Sequence, residues 1–249
     1  MEAEQNKEKS GKSKIRKRIL ITVLIILLLA LSAAGIYLMT YYHANDRAKE
    51  ALQSDKSVQV EKTDYGWYFD GPGKDDALVF YPGARVEETA YAPFLHLLAE
   101  RGLDVCLVKM PFRMAVFGKN KATNVMKQYS YKNWYIGGHS MGGAMAASYA
   151  SAHSGKLKGV ILCAAYTVDR LDDYLQVISV YGDRDRVIDR KKLEKGRELS
   201  PDSMAEYEIP GANHAGFGDY GSQRGDGKAE IPPEEQQRLA VEFIIRNLK

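Results

Sequence analysis

Three points far apart in the chain carry the residue types that nucleophilic acyl chemistry uses. Ser140 lies in IGGHSMGG, residues 136–143, where Gly138-His139-Ser140-Met141-Gly142 fits the pattern G-x-S-x-G. His214 lies in PGANHAGF, residues 210–217, and Asp183 and Asp185 close the run Gly182-Asp-Arg-Asp185. A serine hydroxyl is a weak nucleophile until an imidazole takes its proton, and a carboxylate must hold and charge-balance that imidazole. With 22 glycines in 249 residues, chance supplies the serine pattern about once in ten such chains, so the elements around it must decide its meaning.

Those elements alternate. Strand-like runs at 58–62 and 67–69 flank Asp64-Tyr-Gly66 and predict a hairpin. Residues 77–81 (ALVFY) form a short buried strand, and residues 88–101 place Tyr91, Phe94, Leu95 and Leu98 on one helical stripe. Further strands fall at 104–109, 134–136, 158–165, 176–181 and before Pro210, and further helices at 122–129, 144–152, 190–199 and 233–248. This alternation predicts an α/β fold: a mostly parallel twisted sheet with helices on both faces. Ser140 then sits between a strand and a helix, in a sharp turn where side chains at positions 138 and 142 would collide. Asp183 and Asp185 fall at a strand's C-terminal edge, and the Gly-rich loop of His214 follows the last strand. Of the other histidines, His43 precedes the domain, His139 is the variable residue of the pattern, and His96 and His153 sit on helices as surface or core fillers.

The N-terminus has a different character. Residues 1–18 hold seven Lys/Arg and three Glu, and residues 19–42 (ILITVLIILLLALSAAGIYLMTYY) contain no formal charge. Twenty-four residues make a helix about 36 Å long, enough to cross a hydrocarbon core of about 30 Å. Tyr37, Tyr41 and Tyr42 stand at its far end, where amphipathic rings favour the headgroup layer. The basic flank predicts a cytoplasmic tail at 1–18, a single-pass signal anchor at 19–42 in the cell membrane, a polar stalk at 43–57 and an extracytoplasmic domain at 58–249. The alternative is a cleaved signal peptide with Ser32-Ala33-Ala34 as its small-residue site, but the apolar run continues for eight residues beyond Ala34. The remainder of the chain carries 28 basic and 29 acidic residues, a balance that gives no reason to expect nucleic-acid binding.

The stretches YPGARVEETAYAPF, VKMPFRMAVF, GGHSMGGAMAA, VYGDRDRV and GANHAGFGDYG together resemble the α/β-hydrolase superfamily over residues from about 60 to 249. The similarity is greatest to its small capless members, such as dienelactone hydrolase and related esterases. The order Ser140, Asp185, His214 is the order that fold uses. The resemblance implies that Ser140 is the nucleophile, His214 the base and Asp185 the acid, with Asp183 as the fallback. It implies oxyanion donors at the backbone N–H groups of Met141 and Ala84, in a loop where this chain has Pro82-Gly83 and family members often have His-Gly. It implies no metal and no organic cofactor. Its sheet order separates the strands of Cys106 and Cys163 by three spacings, about 14 Å, too far for a disulfide. Only ten residues, 167–176, occupy the usual place of a lid, so an open site shaped by loops 110–121 and 215–230 is expected. Arg85, Glu87 and Arg113 are expected as solvated charges near it. The function implied is a membrane-anchored serine hydrolase acting on a small-molecule carboxylic ester, with the bilayer as partner through residues 19–42. An acyltransferase or thioesterase on the same residues, or a non-catalytic binding protein of the same fold, are the alternatives.

Overall fold

The computed structural model describes residues 1–248, which form two compact units, residues 1–40 and a body from Tyr41 onward. The first unit is one helix, α1 (Glu2–Met39). Within it, Arg16–Tyr37 is long and apolar enough to cross a membrane. The helix stops at Thr40, which turns extended while its hydroxyl donates to the Ile36 and Tyr37 carbonyls at 3.1 and 3.2 Å. The helix therefore ends three residues before the predicted end at 42, and Tyr41 and Tyr42 belong to the body.

Residues 43–57, expected as a stalk, and the two tyrosines before them carry more structure than that. Tyr42 pairs with Val86 in a parallel bridge, and Asn45 caps the short helix α2 (Asp46–Glu50). Ala44 and Ala48 are buried in the core. Arg47 donates to both carboxylate oxygens of buried Asp219 at 2.8 Å. A polar composition reads as solvated only until its few apolar and charged groups find partners in the fold.

The body is an eight-stranded sheet in the order β1-β2-β4-β3-β5-β6-β7-β8. The hairpin β1 (Gln59–Lys62) and β2 (Gly66–Asp70) is antiparallel and forms one edge. β3 (Asp76–Tyr81), β4 (Asp104–Val108), β5 (Asn133–His139), β6 (Gly159–Cys163), β7 (Gln176–Gly182) and β8 (Ala205–Ile209) run parallel to one another. The central strands are buried beyond their first residues and mostly apolar because both of their faces are covered. Alternate side chains supply two cores. Leu78, Phe80, Val105, Leu107, Ile178 and Val180 pack toward α3 (Ala92–Glu100) and α7 (Pro233–Asn247). Ala77, Val79, Cys106, Ile136, Leu162 and Val177 pack toward α4 (Ala122–Met126) and α5 (Met141–His153). The charged helix α6 (Arg190–Glu198) follows β7 and buries only Leu193 and Gly196.

Element boundaries moved where local chemistry intervened. The helix expected from residue 88 opens as a 3-10 turn, Glu88–Tyr91, because Pro93 favours the first turn of the α-helix behind it. Cys106 and Cys163 are free, buried and on strands with β3 and β5 between them. Burial pushes the Cys106 thiol up to about 12, so it behaves as a small hydrophobe.

Candidate active site

Ser140 is the single residue between β5 and α5. Its backbone has φ 54° and ψ −124°, a left-handed conformation that costs a non-glycine residue about 1–3 kcal/mol unless its surroundings enforce it. The surroundings do so. The Ser140 N–H donates to the Cys163 carbonyl at 3.0 Å, and the Ser140 carbonyl accepts from Ala144 N–H at 3.1 Å to start the helix. A Cβ at Gly142 would lie 2.2 Å from the Tyr81 carbonyl oxygen, and one at Gly138 would lie 2.4 Å from the same atom. The glycines thus let β5 and α5 close against the end of β3, which holds the serine up at the sheet edge.

The chain brings Asp185 and His214 together at the same edge. Asp185 follows the end of β7, and its carboxylate is buried. Its Oδ1 accepts from the N–H groups of Val187 and Ile188, both at 2.8 Å, which fixes the carboxyl plane. Its Oδ2 accepts from His214 Nδ1 at 2.7 Å. A neutral imidazole that donates from Nδ1 carries its lone pair on Nε2. That Nε2 is buried and has no hydrogen-bond partner among the described residues. Asp183, the fallback acid, is used otherwise: its Oδ1 accepts from Gly211 N–H at 2.7 Å and ties down the start of the histidine loop. Asp226 accepts from Ala215 N–H at 2.9 Å and Gln236 from Asn213 N–H at 3.1 Å, so His214 rides on a loop held at both sides.

His139, the variable residue of the serine pattern, proves to be a structural link. It is fully buried, its ring packs on that of His214 with centroids 4.5 Å apart, and its Nε2 lies 3.0 Å from the His214 carbonyl. A carbonyl only accepts, so Nε2 carries the proton and Nδ1 accepts from the Tyr91 hydroxyl at 2.8 Å. That hydroxyl in turn accepts from Gly83 N–H at 3.0 Å. Burial, with a smaller contribution from His214, holds the His139 pKa well below the usual histidine range. The relay joins the loop after β3, the serine turn and the histidine loop in one chain of hydrogen bonds. No spacing signal in the sequence marks it, because Tyr91 reads there as one more apolar residue on a helical stripe.

Met141 and Ala84 occupy unlike positions. Met141 is the first residue of α5, so its N–H is among those the helix itself does not bond. In the loop after β3, Gly83 N–H goes to Tyr91, Arg85 N–H to the Arg113 carbonyl and Val86 N–H to the Gly83 carbonyl. Pro82 has no N–H, and among the described residues no acceptor takes that of Ala84.

Ser140 and His214 line one cavity of about 450 Å³, together with Met141, Ala144, Met145, Ala164 and Tyr166 from α5 and the segment after β6. Val168, Val187, Ile188, Asp189 and Lys192 complete it. Its walls are therefore α5 and the segments after β6 and β7, not the loops 110–121 and 215–230 expected from sequence. Ala84 lies outside this lining. Arg85, Glu87 and Arg113 also lie outside it: Glu87 accepts from Ala44 N–H at 3.2 Å, the Arg85 carbonyl accepts from Tyr42 N–H at 2.8 Å, and Arg113 stacks on Tyr41. They hold residues 41–44 against the loops after β3 and β4. The segment between β6 and β7 contains no helix, so it forms no lid domain. Among the described residues, no group of three or more His, Cys, Asp or Glu is arranged to hold a metal ion.

The sequence profile described as the alpha/beta hydrolase family matches residues 77–238. No curated protein matches the chain in sequence. Many solved structures share its fold. A bacterial heroin esterase superposes with a TM-score of 0.58 at 14% identity, covering 81% of this chain and 88% of that one. A CIB-like hydrolase from Thermoplasma acidophilum gives 0.56 at 14% identity, covering 76% and 99%. Dienelactone hydrolase from Anabaena variabilis gives 0.55 at 13% identity, covering 78% and 100%.

Proposed function

The chain belongs to the alpha/beta hydrolase family, and from that premise we propose that it is a membrane-anchored serine hydrolase that cleaves carboxylic esters. One observation carries this proposal: Ser140, in its enforced left-handed turn, shares a cavity with His214, whose Nδ1 is held by Asp185 and whose Nε2 is unpartnered.

In the proposed reaction the Ser140 hydroxyl oxygen attacks the ester carbonyl carbon as its proton passes to His214 Nε2. Asp185, fixed by two backbone N–H groups, holds the imidazole and balances the imidazolium. The N–H groups of Met141 and Ala84 receive the oxyanion; donors fixed in advance need no reorganisation as charge develops. Collapse expels the alcohol, which takes the proton from His214, and leaves an acyl-enzyme on Ser140. Water then attacks that ester as His214 takes its proton; collapse of the second tetrahedral intermediate releases the acid, and His214 returns the proton to the Ser140 oxygen. The mostly apolar walls of the cavity suit an aliphatic or aromatic substituent beside the carbonyl. Names such as heroin esterase and dienelactone hydrolase among its structural relatives support ester or lactone substrates as the class.

The apolar helix preceding the body supports anchoring, and the basic residues before it support a cytoplasmic N-terminus with the body outside the cell membrane. The test is covalent labelling of a membrane fraction with a fluorophosphonate probe. Wild type takes up the probe and Ser140→Ala does not; equal labelling of the two, or no labelling of wild type, removes the assignment.

A further inference from the structure

Soluble surfaces scatter their exposed apolar side chains, and a cluster of them calls for a partner. In the described body, six large hydrophobic side chains are exposed: Phe112, Val116, Phe117, Val168, Tyr174 and Val187. Five of the six lie in segments that follow the C-terminal ends of parallel strands: three after β4, one after β6 and one after β7. That is the edge on which Ser140 stands.

The three after β4 are concentrated in KMPFRMAVFGKNK, residues 109–121, which has four Lys/Arg and no Asp/Glu. Phe112 is 62% exposed, Val116 50% and Phe117 60%, and the two phenylalanine rings meet edge to face at 5.9 Å. The loop is built to present them. Met110 and Ala115 are buried beneath, and three successive 3-10 turns, Pro111–Arg113, Ala115–Phe117 and Lys119–Lys121, fix the backbone. Phe112 and Arg113 hold φ of 51° and 56°, values that a phenylalanine or arginine rarely adopts. Lys119 Nζ reaches Ser148 Oγ at 3.3 Å, Lys121 Nζ donates to the Lys109 carbonyl at 2.9 Å, and Lys109 Nζ lies 3.8 Å from Glu88.

The loop also lies beside the first residue of the body. The guanidinium of Arg113 stacks on the ring of Tyr41 at 3.4 Å. Tyr41 is two residues beyond Met39, where the apolar helix ends. The chain therefore enters the body at this patch, and a bilayer holding the helix lies within a few residues' reach of it.

We propose that residues 109–121 form a membrane-docking surface. Phe112, Val116 and Phe117 enter the interfacial layer of the bilayer that carries the anchor helix, and Lys109, Arg113, Lys119 and Lys121 meet the phosphates of its headgroups. Aromatic rings with flanking basic side chains are the combination that this layer favours. Docking there turns the Ser140 edge of the sheet toward the membrane, so the hydrolase draws its substrate from esters dissolved in the bilayer. The proposal rests on the anchor reading of the N-terminal helix, and its substrate clause on the hydrolase reading.

The test uses the full chain in vesicles of phosphatidylcholine and phosphatidylglycerol. A nitroxide is attached at Val116→Cys, or at Tyr174→Cys on the opposite end of the sheet; Cys106 and Cys163 are buried and escape labelling. The label at 116 is expected to collide mainly with dissolved oxygen, and the label at 174 with a water-soluble nickel chelate. Equal exposure of both labels to the chelate, in a chain that resists alkaline carbonate extraction, overturns the docking surface alone. A chain that carbonate extracts removes the anchor reading beneath it. The paired change Phe112→Ser with Phe117→Ser is expected to lower hydrolysis of a vesicle-embedded long-chain ester about tenfold while leaving a soluble short ester unaffected. Unchanged turnover of both esters overturns the substrate clause. Wild type inactive on both removes the hydrolase reading and leaves the nitroxide result to decide the docking surface.

Discussion

Removing one oxygen atom, by Tyr91→Phe, tests whether the buried relay holds the site together. The hydroxyl accepts from Gly83 N–H at 3.0 Å and donates to His139 Nδ1 at 2.8 Å, all within a buried cluster. Phenylalanine keeps the ring and its packing on Phe80 at 5.4 Å. It leaves one donor and one acceptor without partners, and each buried orphan costs about 1–3 kcal/mol. The expected loss is about 2–6 kcal/mol of a stability of order 5–15 kcal/mol. For a body of this size that lowers Tm by about 5–20 °C. The freed segment adjoins Ala84, so turnover should fall as well. Loss of one oxyanion donor costs about 10²–10³ in kcat, and a loosened donor should cost less, about tenfold. Denaturation in guanidinium gives the stability, and initial rates on a soluble ester give kcat and KM separately. A double-mutant cycle with His139→Leu sharpens the test. The two changes remove the same bond, so their joint cost should fall short of the sum by about 1–3 kcal/mol. Additive costs, or a Tyr91→Phe loss below about 0.5 kcal/mol, would refute the relay as a unit.

Two further outcomes follow from the same geometry. Asp185→Asn should cut kcat by about 10⁴, because an amide presented to Nδ1 reverses the tautomer and leaves Nε2 unable to accept the serine proton. Asp183→Asn, which faces Gly211 N–H, should leave kcat within about twofold by the same reasoning; comparable losses for the two variants would contradict the pairing seen here. The second outcome concerns pH. Burial lowers the His139 pKa in the folded state, so above the unfolded value of about 6.5 neither state is protonated and the residue contributes nothing to pH dependence. Below 6.5 the unfolded chain takes a proton that the folded chain refuses, and stability falls. Between pH 6.5 and 5.5 the wild type should lose about 1 kcal/mol more than His139→Asn. Asp104, whose pKa burial raises, acts in the opposite direction but equally in both proteins, so the difference between their denaturation free energies isolates the histidine.

The sequence by itself determined what depends on local pattern. Strand and helix periodicities located all eight strands and the main helices of the body, because side-chain direction repeats every two or 3.6 residues whatever the rest of the chain does. It also determined the serine turn, since Gly138 and Gly142 are the only residues that fit against the Tyr81 carbonyl. Histidine and aspartate candidates were legible as residue types at strand ends. What only the tertiary structure decided were the partnerships. Asp185 and Asp183 lie two positions apart at the same strand end; the family resemblance favoured Asp185, and the contacts separate them, since His214 comes to rest on one and Gly211 on the other. His139 and Tyr91 became a relay when two elements 48 residues apart met in a dry interior. Residues 43–57 read as polar stalk, although Arg47 within them pairs with Asp219, 172 positions away. The cavity walls came from α5 and the segments after β6 and β7, since loop lengths do not say where a loop lies. In each case the deciding energy is a contact between residues distant in sequence, which no local periodicity encodes.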